Sequence, residues 1–273
     1  MGNTHTQQRI NQTTTCRTEQ CQQVANDALD KVLGPNYLQR TYFPRIYLIA
    51  LDGRRERALN TLSNVGIHPE LVDIVHKDQL PDRQILESKG IVSPDWGSMV
   101  TMDRDCFFKN APFSPGRVAC HLSHLRALQM FLADPTASRV LVFEDDLVSN
   151  IDRTRLEICL QRNKERIDNY DVFYLGSIWR NCAFDNDIDG ITDISMNQQI
   201  LGRHAISFSR EGAKIVLEKT LPMTRPGDQM ISELIRLGAL KGGAITDSIF
   251  VQDIDTYGTT LDNNTFRRPT CMR

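Results

Sequence analysis

The apolar run Val140-Leu-Val-Phe143 stops abruptly at three consecutive carboxylates, Glu144-Asp145-Asp146. β-Branched and aromatic residues with no polar position between them read as a strand buried on both faces, and such strands belong to mostly parallel sheets covered by helices. Adjacent carboxylates repel one another where such a strand ends unless a cation joins them. In open α/β sheets ligands sit outside the carboxyl ends of strands. The sequence therefore aims a hard-oxygen site, suited to Mg²⁺ or Mn²⁺, at the crevice that would hold a phosphorylated ligand.

The rest of the chain carries the same alternation. Residues 45–51 read as a strand, and 54–65 as a helix with Ala58, Leu59, Leu62 and Val65 on one face before Gly66 ends it. Residues 71–75 form a second expected strand, 83–89 a short helix, and 93–116, with several prolines and Trp96, a long loop of the kind that is usually functional. Ser114-Pro115 marks the start of a helix running to Ala133 with Val118, Leu122, Leu125, Leu128 and Phe131 or Leu132 inward. Beyond the acidic strand come a helix near 152–167, a strand 172–176, an acidic loop 181–193, a strand 199–208, helices 211–220 and 229–237, and a strand 244–251. This alternation predicts one α/β domain over 41–260 with helices on both sheet faces, a polar tail over 1–40 and a short tail over 261–273.

Composition narrows the partners. With 32 basic against 34 acidic side chains the net charge is -2, so no broad cationic surface exists to grip nucleic acid. No segment reaches the roughly 18 consecutive apolar residues of a membrane span, and the polar N-terminus lacks a secretory signal. A cytoplasmic location is expected, with the seven cysteines, an odd number at irregular spacing, as reduced thiols. The sequons at Asn11 and Asn263 are then chance matches. Met1-Gly2-Asn3-Thr4-His5-Thr6 fits an N-myristoylation pattern that would give a weak anchor, or is a chance match in a polar tail.

Four ordered segments resemble glycosyltransferase family 25, the lipooligosaccharide and procollagen galactosyltransferase-like enzymes. They are Ile46-Tyr-Leu-Ile-Ala-Leu-Asp52 with Arg54, Arg55 and Arg57; Gly116-Arg-Val-Ala-Cys-His-Leu-Ser-His124; Val140 to Asp146; and His204-Ala-Ile-Ser-Phe-Ser-Arg-Glu-Gly-Ala213, with Asp228-Gln229 and Phe250-Val-Gln252 extending the match. The resemblance implies a GT-A-like Rossmann-type domain that binds a UDP-sugar with Mn²⁺ or Mg²⁺ and passes galactose or glucose to a saccharide or hydroxylated side chain. It implies that Asp146 ligates the metal while Glu144 supports it or reaches the ribose. Asp145, on the opposite face by strand alternation, would act from behind them or on the substrate.

Inverting transfer, which the resemblance implies, needs a carboxylate to take the acceptor's proton, and Asp228 is the candidate. It reads equally as the cap of the helix it opens. Asp52 at the end of the first strand is placed to meet the nucleotide, with Arg54 and Arg57 either reaching its phosphates or lining a solvated helix face. His121, Ser123 and His124 could line the donor pocket; the two histidines, three apart on one helix, could in principle share a metal, but no further ligands lie nearby in sequence and hydrogen-bonding or structural roles are the preferred reading. Cys120 reads as a small buried apolar residue and His204 as a core histidine.

Two positions depart from the family pattern. Arg117 stands where an acid is common, and Gly53 where an arginine is usual. A nucleotidyl- or phosphotransferase using the same acids is one alternative, though no glycine-rich phosphate loop is present. A carbohydrate-binding protein that has kept the fold and lost turnover is another.

Overall fold

The computed structural model describes residues 37–96, 112–179, 190–194 and 200–253. The myristoylation motif, both sequons, most of the long loop after Trp96 and Cys16, Cys21, Cys106, Cys182 and Cys271 lie outside the described residues.

A first helix α1 (Tyr37–Thr41) leads into β1 (Arg45–Ile49) and α2 (Asp52–Ser63). Then follow β2 (Glu70–Leu71), α3 (Arg83–Ser88), α4 (Pro115–Ala133), β3 (Arg139–Glu144), β4 (Leu147–Ser149), α5 (Arg153–Asp168) and β5 (Val172–Trp179). The chain continues through β6 (Ile191–Asp193), β7 (Ile200–Ser209), α6 (Arg210–Lys219), α7 (Gly227–Arg236), β8 (Gly242–Ile245) and β9 (Phe250–Gln252). Seven strands form one sheet in the order β2-β1-β3-β7-β5-β8-β6. β7 runs against both its neighbours and β6 against β8, so five of the seven strands point the same way.

Helices cover both faces, which is why β3 is apolar at every position before its acids. Leu141 and Phe143 enter the core beneath α2 and α5, with Ile46, Leu48, Leu62, Leu156 and Leu160. Val140 and Val142 enter the opposite core with Leu125, Leu128, Phe131, Val216 and Ile231 from α4, α6 and α7. Each fully buried side chain of this size contributes roughly 1.5–3 kcal/mol of transfer free energy. The mostly parallel sheet with helices on both faces is thus the expected α/β architecture. Among the described residues no helix is long and apolar enough to cross a membrane.

Several elements differ from the sequence expectation. The packed unit begins before position 41, because Leu38, at 1% exposure, already lies in the core. The second strand shortens to two residues. The expected strand over 244–251 is two strands, with Thr246-Asp247-Ser248 breaking it. Its second half, β9, leaves the main sheet and pairs with β4 in an antiparallel ribbon, Leu147 opposite Gln252. That ribbon closes over the carboxyl end of β3.

Candidate functional site

Strand alternation separates the three acids onto different partners. Glu144 continues the Val142 side, and its Oε1 accepts from His124 Nε2 at 2.7 Å and from the Cys120 thiol at 3.4 Å, both on α4. Asp145 continues the Phe143 side, where its Oδ2 accepts from the Leu51 backbone N–H at 2.7 Å and its Oδ1 lies 3.6 Å from Arg54. Asp145 therefore fastens the start of α2 to the end of β3. Asp146 turns toward the ribbon: Oδ2 accepts from Gln252 Nε2 at 3.1 Å, and the backbone carbonyl accepts from Asp253 N–H at 2.7 Å.

These environments push the carboxyls apart. Burial alone would raise Glu144, but the His124 hydrogen bond and the Arg203 charge outweigh it and hold the group at about 2. Burial, then the neighbouring Glu144 and Asp145 charges, lift Asp146 to about 7, with Arg54 pulling the other way. Burial also lowers His124 to about 4, so at neutral pH the pair is a carboxylate accepting from a neutral imidazole.

Arg203 on β7, 4% exposed, is the buried cation of this cluster. It donates to His121 Nδ1 at 3.1 Å and to Cys120 Sγ at 3.3 Å. Burial opposes its charge, and Cys120, Glu144 and Asp228 around it more than compensate, leaving the guanidinium more firmly protonated than usual. The cluster fixes a tautomer. Arginine only donates, so His121 Nδ1 must accept and Nε2 carries the proton, which goes to Thr220 Oγ1 at 3.0 Å. Thr220 in turn donates to Val216 O at 2.6 Å. Burial, then the adjacent Arg203 charge, keeps His121 well below its ordinary range, hence neutral. Cys120, expected to be a plain apolar filler, is instead a thiol between Glu144 and Arg203, with burial and Glu144 raising it further from ionisation.

Asp228 lies on the same side of the sheet. Pro226 takes the cap position of α7. The Asp228 carboxylate accepts from the Gln229 N–H at 2.9 Å and, across to β7, from the Gly202 N–H at 3.1 Å. Gly202 has φ +76, a left-handed backbone that favours glycine, and this conformation presents its N–H to the acid. The Asp228 charge is felt by Cys120, His124 and Arg203.

The remaining expected residues lie further out or are otherwise engaged. Asp52, 82% exposed, pairs with Arg55 at 2.6 Å in the first turn of α2. Arg57 pairs with Asp253. The Ser123 hydroxyl donates to Ala119 O at 2.9 Å and accepts from Val75 N–H at 2.9 Å, so it ties the segment after β2 to α4. His204 donates from Nε2 to Phe250 O at 3.0 Å and is fully buried. The structure brings together Glu144, Asp146, His121, His124 and Asp228, and adds Arg203, which sequence reasoning did not single out, and Gln252, which it named only within the family match and gave no role. The one available signal for Arg203 was a formal charge inside a mostly apolar strand.

Two donor sets can be weighed for a cation. Cys120 Sγ, a His124 ring nitrogen and a Glu144 oxygen lie within 4.8 Å of one another and could hold a metal ion. That thiol–imidazole–carboxylate set suits a borderline cation such as Zn²⁺, and the Arg203 guanidinium on the thiol opposes a second positive charge there. Asp146 Oδ1 is buried without a hydrogen-bond partner among the described residues, beside two further acids. An orphaned carboxylate oxygen in a cluster of net negative charge fits a hard divalent cation.

No family model matches the chain, and no curated protein matches it. Among solved structures it is similar to A197 from STIV, with 13% identity over 82% of this chain and 96% of that one and a TM-score of 0.33. It is also similar to a candidate nucleotide-diphospho-sugar transferase from Desulfovibrio desulfuricans G20, with 12% identity over 84% of this chain and 92% of that one and a TM-score of 0.34.

Proposed function

We propose that the chain is a metal-dependent glycosyltransferase that moves a hexose, galactose or glucose, from a UDP-sugar to a saccharide or hydroxylated side-chain acceptor with inversion. The observation that carries this reading is the Asp146 carboxylate: an oxygen that is buried without a partner among the described residues, held beside Glu144 at the carboxyl end of the interior strand β3.

Asp146 and Glu144 would hold Mn²⁺ or Mg²⁺, which neutralises the charge that develops on a departing nucleoside diphosphate. Around it the chain's own groups divide the work. His124 orients the Glu144 carboxylate through the 2.7 Å hydrogen bond and keeps it ionised. Arg203 balances Glu144 and Asp228 without neutralising either by direct pairing, since its hydrogen bonds go to His121 and Cys120. Asp228, anchored by two backbone N–H groups, keeps lone pairs free to take the acceptor hydroxyl's proton as that oxygen attacks from the far side of the sugar. Asp145 and Arg54 secure the β1–α2 turn, where the nucleotide of such a sheet would lie.

A thermal-shift panel tests the reading with Mn²⁺ against UDP, UDP-sugars, ATP and NAD, because a ligand at 100 times its Kd stabilises by about 2.7 kcal/mol. Stabilisation by UDP that requires Mn²⁺, lost in Asp146→Ala and in Glu144→Ala, together with release of UDP from a UDP-hexose, is the expected result. A preference for ATP would replace the reading with phosphoryl transfer. Binding with neither hydrolysis nor transfer across an acceptor panel would make the chain a carbohydrate-binding protein.

A further inference from the structure

Resting on the metal site just proposed, the geometry points to Gln252 as the residue that positions Asp146 for the cation. An ionised carboxylate, the form that binds a cation, only accepts, so the Gln252 amide turns its Nε2 toward Asp146 and occupies Oδ2 at 3.1 Å. Among the described residues Oδ1 is left buried and unpartnered, and so becomes the oxygen presented to a cation. The backbone repeats the constraint, with Asp253 N–H on the Asp146 carbonyl at 2.7 Å and the β4–β9 ladder setting Leu147 opposite Gln252, Val148 opposite Val251 and Ser149 opposite Phe250. Asp253 is in turn paired with Arg57 on α2. A segment more than a hundred residues downstream of Asp146 thus fixes the rotamer and the free oxygen of a ligand that stands at a turn, where the strand itself no longer holds it.

Without the Gln252 amide the Asp146 carboxyl is free to rotate, and part of the cation's binding free energy goes into ordering it. Groups that orient a ligating carboxylate typically contribute 10–100-fold to metal affinity.

The test uses full-length protein and Mn²⁺ alone, with free Mn²⁺ followed by electron paramagnetic resonance and Tm measured in parallel with EDTA. Gln252→Met keeps the length and apolar stem and removes the donor; it should weaken Mn²⁺ binding by about 10-fold or more. Gln252→Asn keeps the amide but shortens its reach by one methylene, and should weaken binding in the same direction, which keeps the test open if the Met variant does not fold. A role confined to packing would lower Tm equally with and without Mn²⁺ and leave the Mn²⁺ Kd at the parent value, and that result overturns the inference alone. Failure of the parent to bind Mn²⁺ overturns both the inference and the metal site beneath it.

Discussion

Arg203 donates to His121 Nδ1 at 3.1 Å, so a buried guanidinium rests on a neutral imidazole while the carboxylates it balances are held by other groups. The arrangement leaves Glu144 to His124 and Asp228 to the backbone, with all three elements α4, β3 and β7 tied through one cation.

Arg203→Met should therefore be costly well beyond lost packing. It strands the His121 acceptor and leaves Glu144 and Asp228 in the interior without their balancing charge. Removing one member of a buried charge network typically costs 3–5 kcal/mol, which urea unfolding will measure. A loss below about 1 kcal/mol, the level of an ordinary exposed ion pair, would mean the cluster is solvated.

Much of this layout was legible in the sequence, for physical reasons. β3 is an unbroken apolar run and α4 a long capped helix, and the side-chain alternation of a strand already assigned Glu144 and Asp145 to opposite faces. Short elements carried no such pattern: β4, β6 and β9 have three residues each and exist because of the partners they meet. Gln252 stood in the family match without a role for the same reason, since that role depends on the ribbon register. Arg203 was missed and Cys120 misread because a sequence shows which residues are polar and not which of them face one another inside. The histidines three apart on α4 are both buried, yet they face different partners, Thr220 and Arg203 for one and Glu144 for the other.

Two glycines provide a paired test of how tightly the site is packed. A Cβ at Gly227 would meet His121 Nδ1 at 2.3 Å and Arg203 at 2.8 Å, so Gly227→Ala should destabilise by about 1–3 kcal/mol. A Cβ at Gly53 meets nothing within 4 Å on an exposed helix, so Gly53→Ala should be neutral to stabilising by up to about 1 kcal/mol. Tm shifts of the same sign in both variants would contradict the packing described around His121.

In EDTA the acid response of stability should depend on Asp146. Between pH 6.5 and about 4 the unfolded state protonates His124 and the folded state does not, so this group's stabilisation, complete above 6.5, is lost on acidification. Asp146 acts oppositely: raised from 3.8 to about 7, it binds its proton more tightly when folded, so its contribution grows as pH falls from 7 toward 3.8. Each effect is roughly 3–4 kcal/mol, and they largely offset one another. Asp146→Asn removes one side, so denaturation midpoints for that variant should fall more steeply between pH 7 and 4 than the parent's. Parallel profiles would show that Asp146 titrates as an ordinary carboxylate.

Asp228 calls for a more careful substitution than its helix position suggests. Both its oxygens accept backbone N–H groups, from Gln229 and from Gly202, whereas asparagine offers one acceptor and would turn its NH₂ onto the other donor. Asp228→Asn should therefore lose about 1–3 kcal/mol of stability in addition to any base function, and activity must be compared at a temperature where both proteins are fully folded. Under that condition loss of a general base lowers kcat by about 10²–10⁴ with the KM for the UDP-sugar little changed, because the carboxylate acts on the acceptor and not on the donor. If kcat survives while only the unfolding midpoint moves, Asp228 joins α7 to β7 and the proton acceptor lies elsewhere.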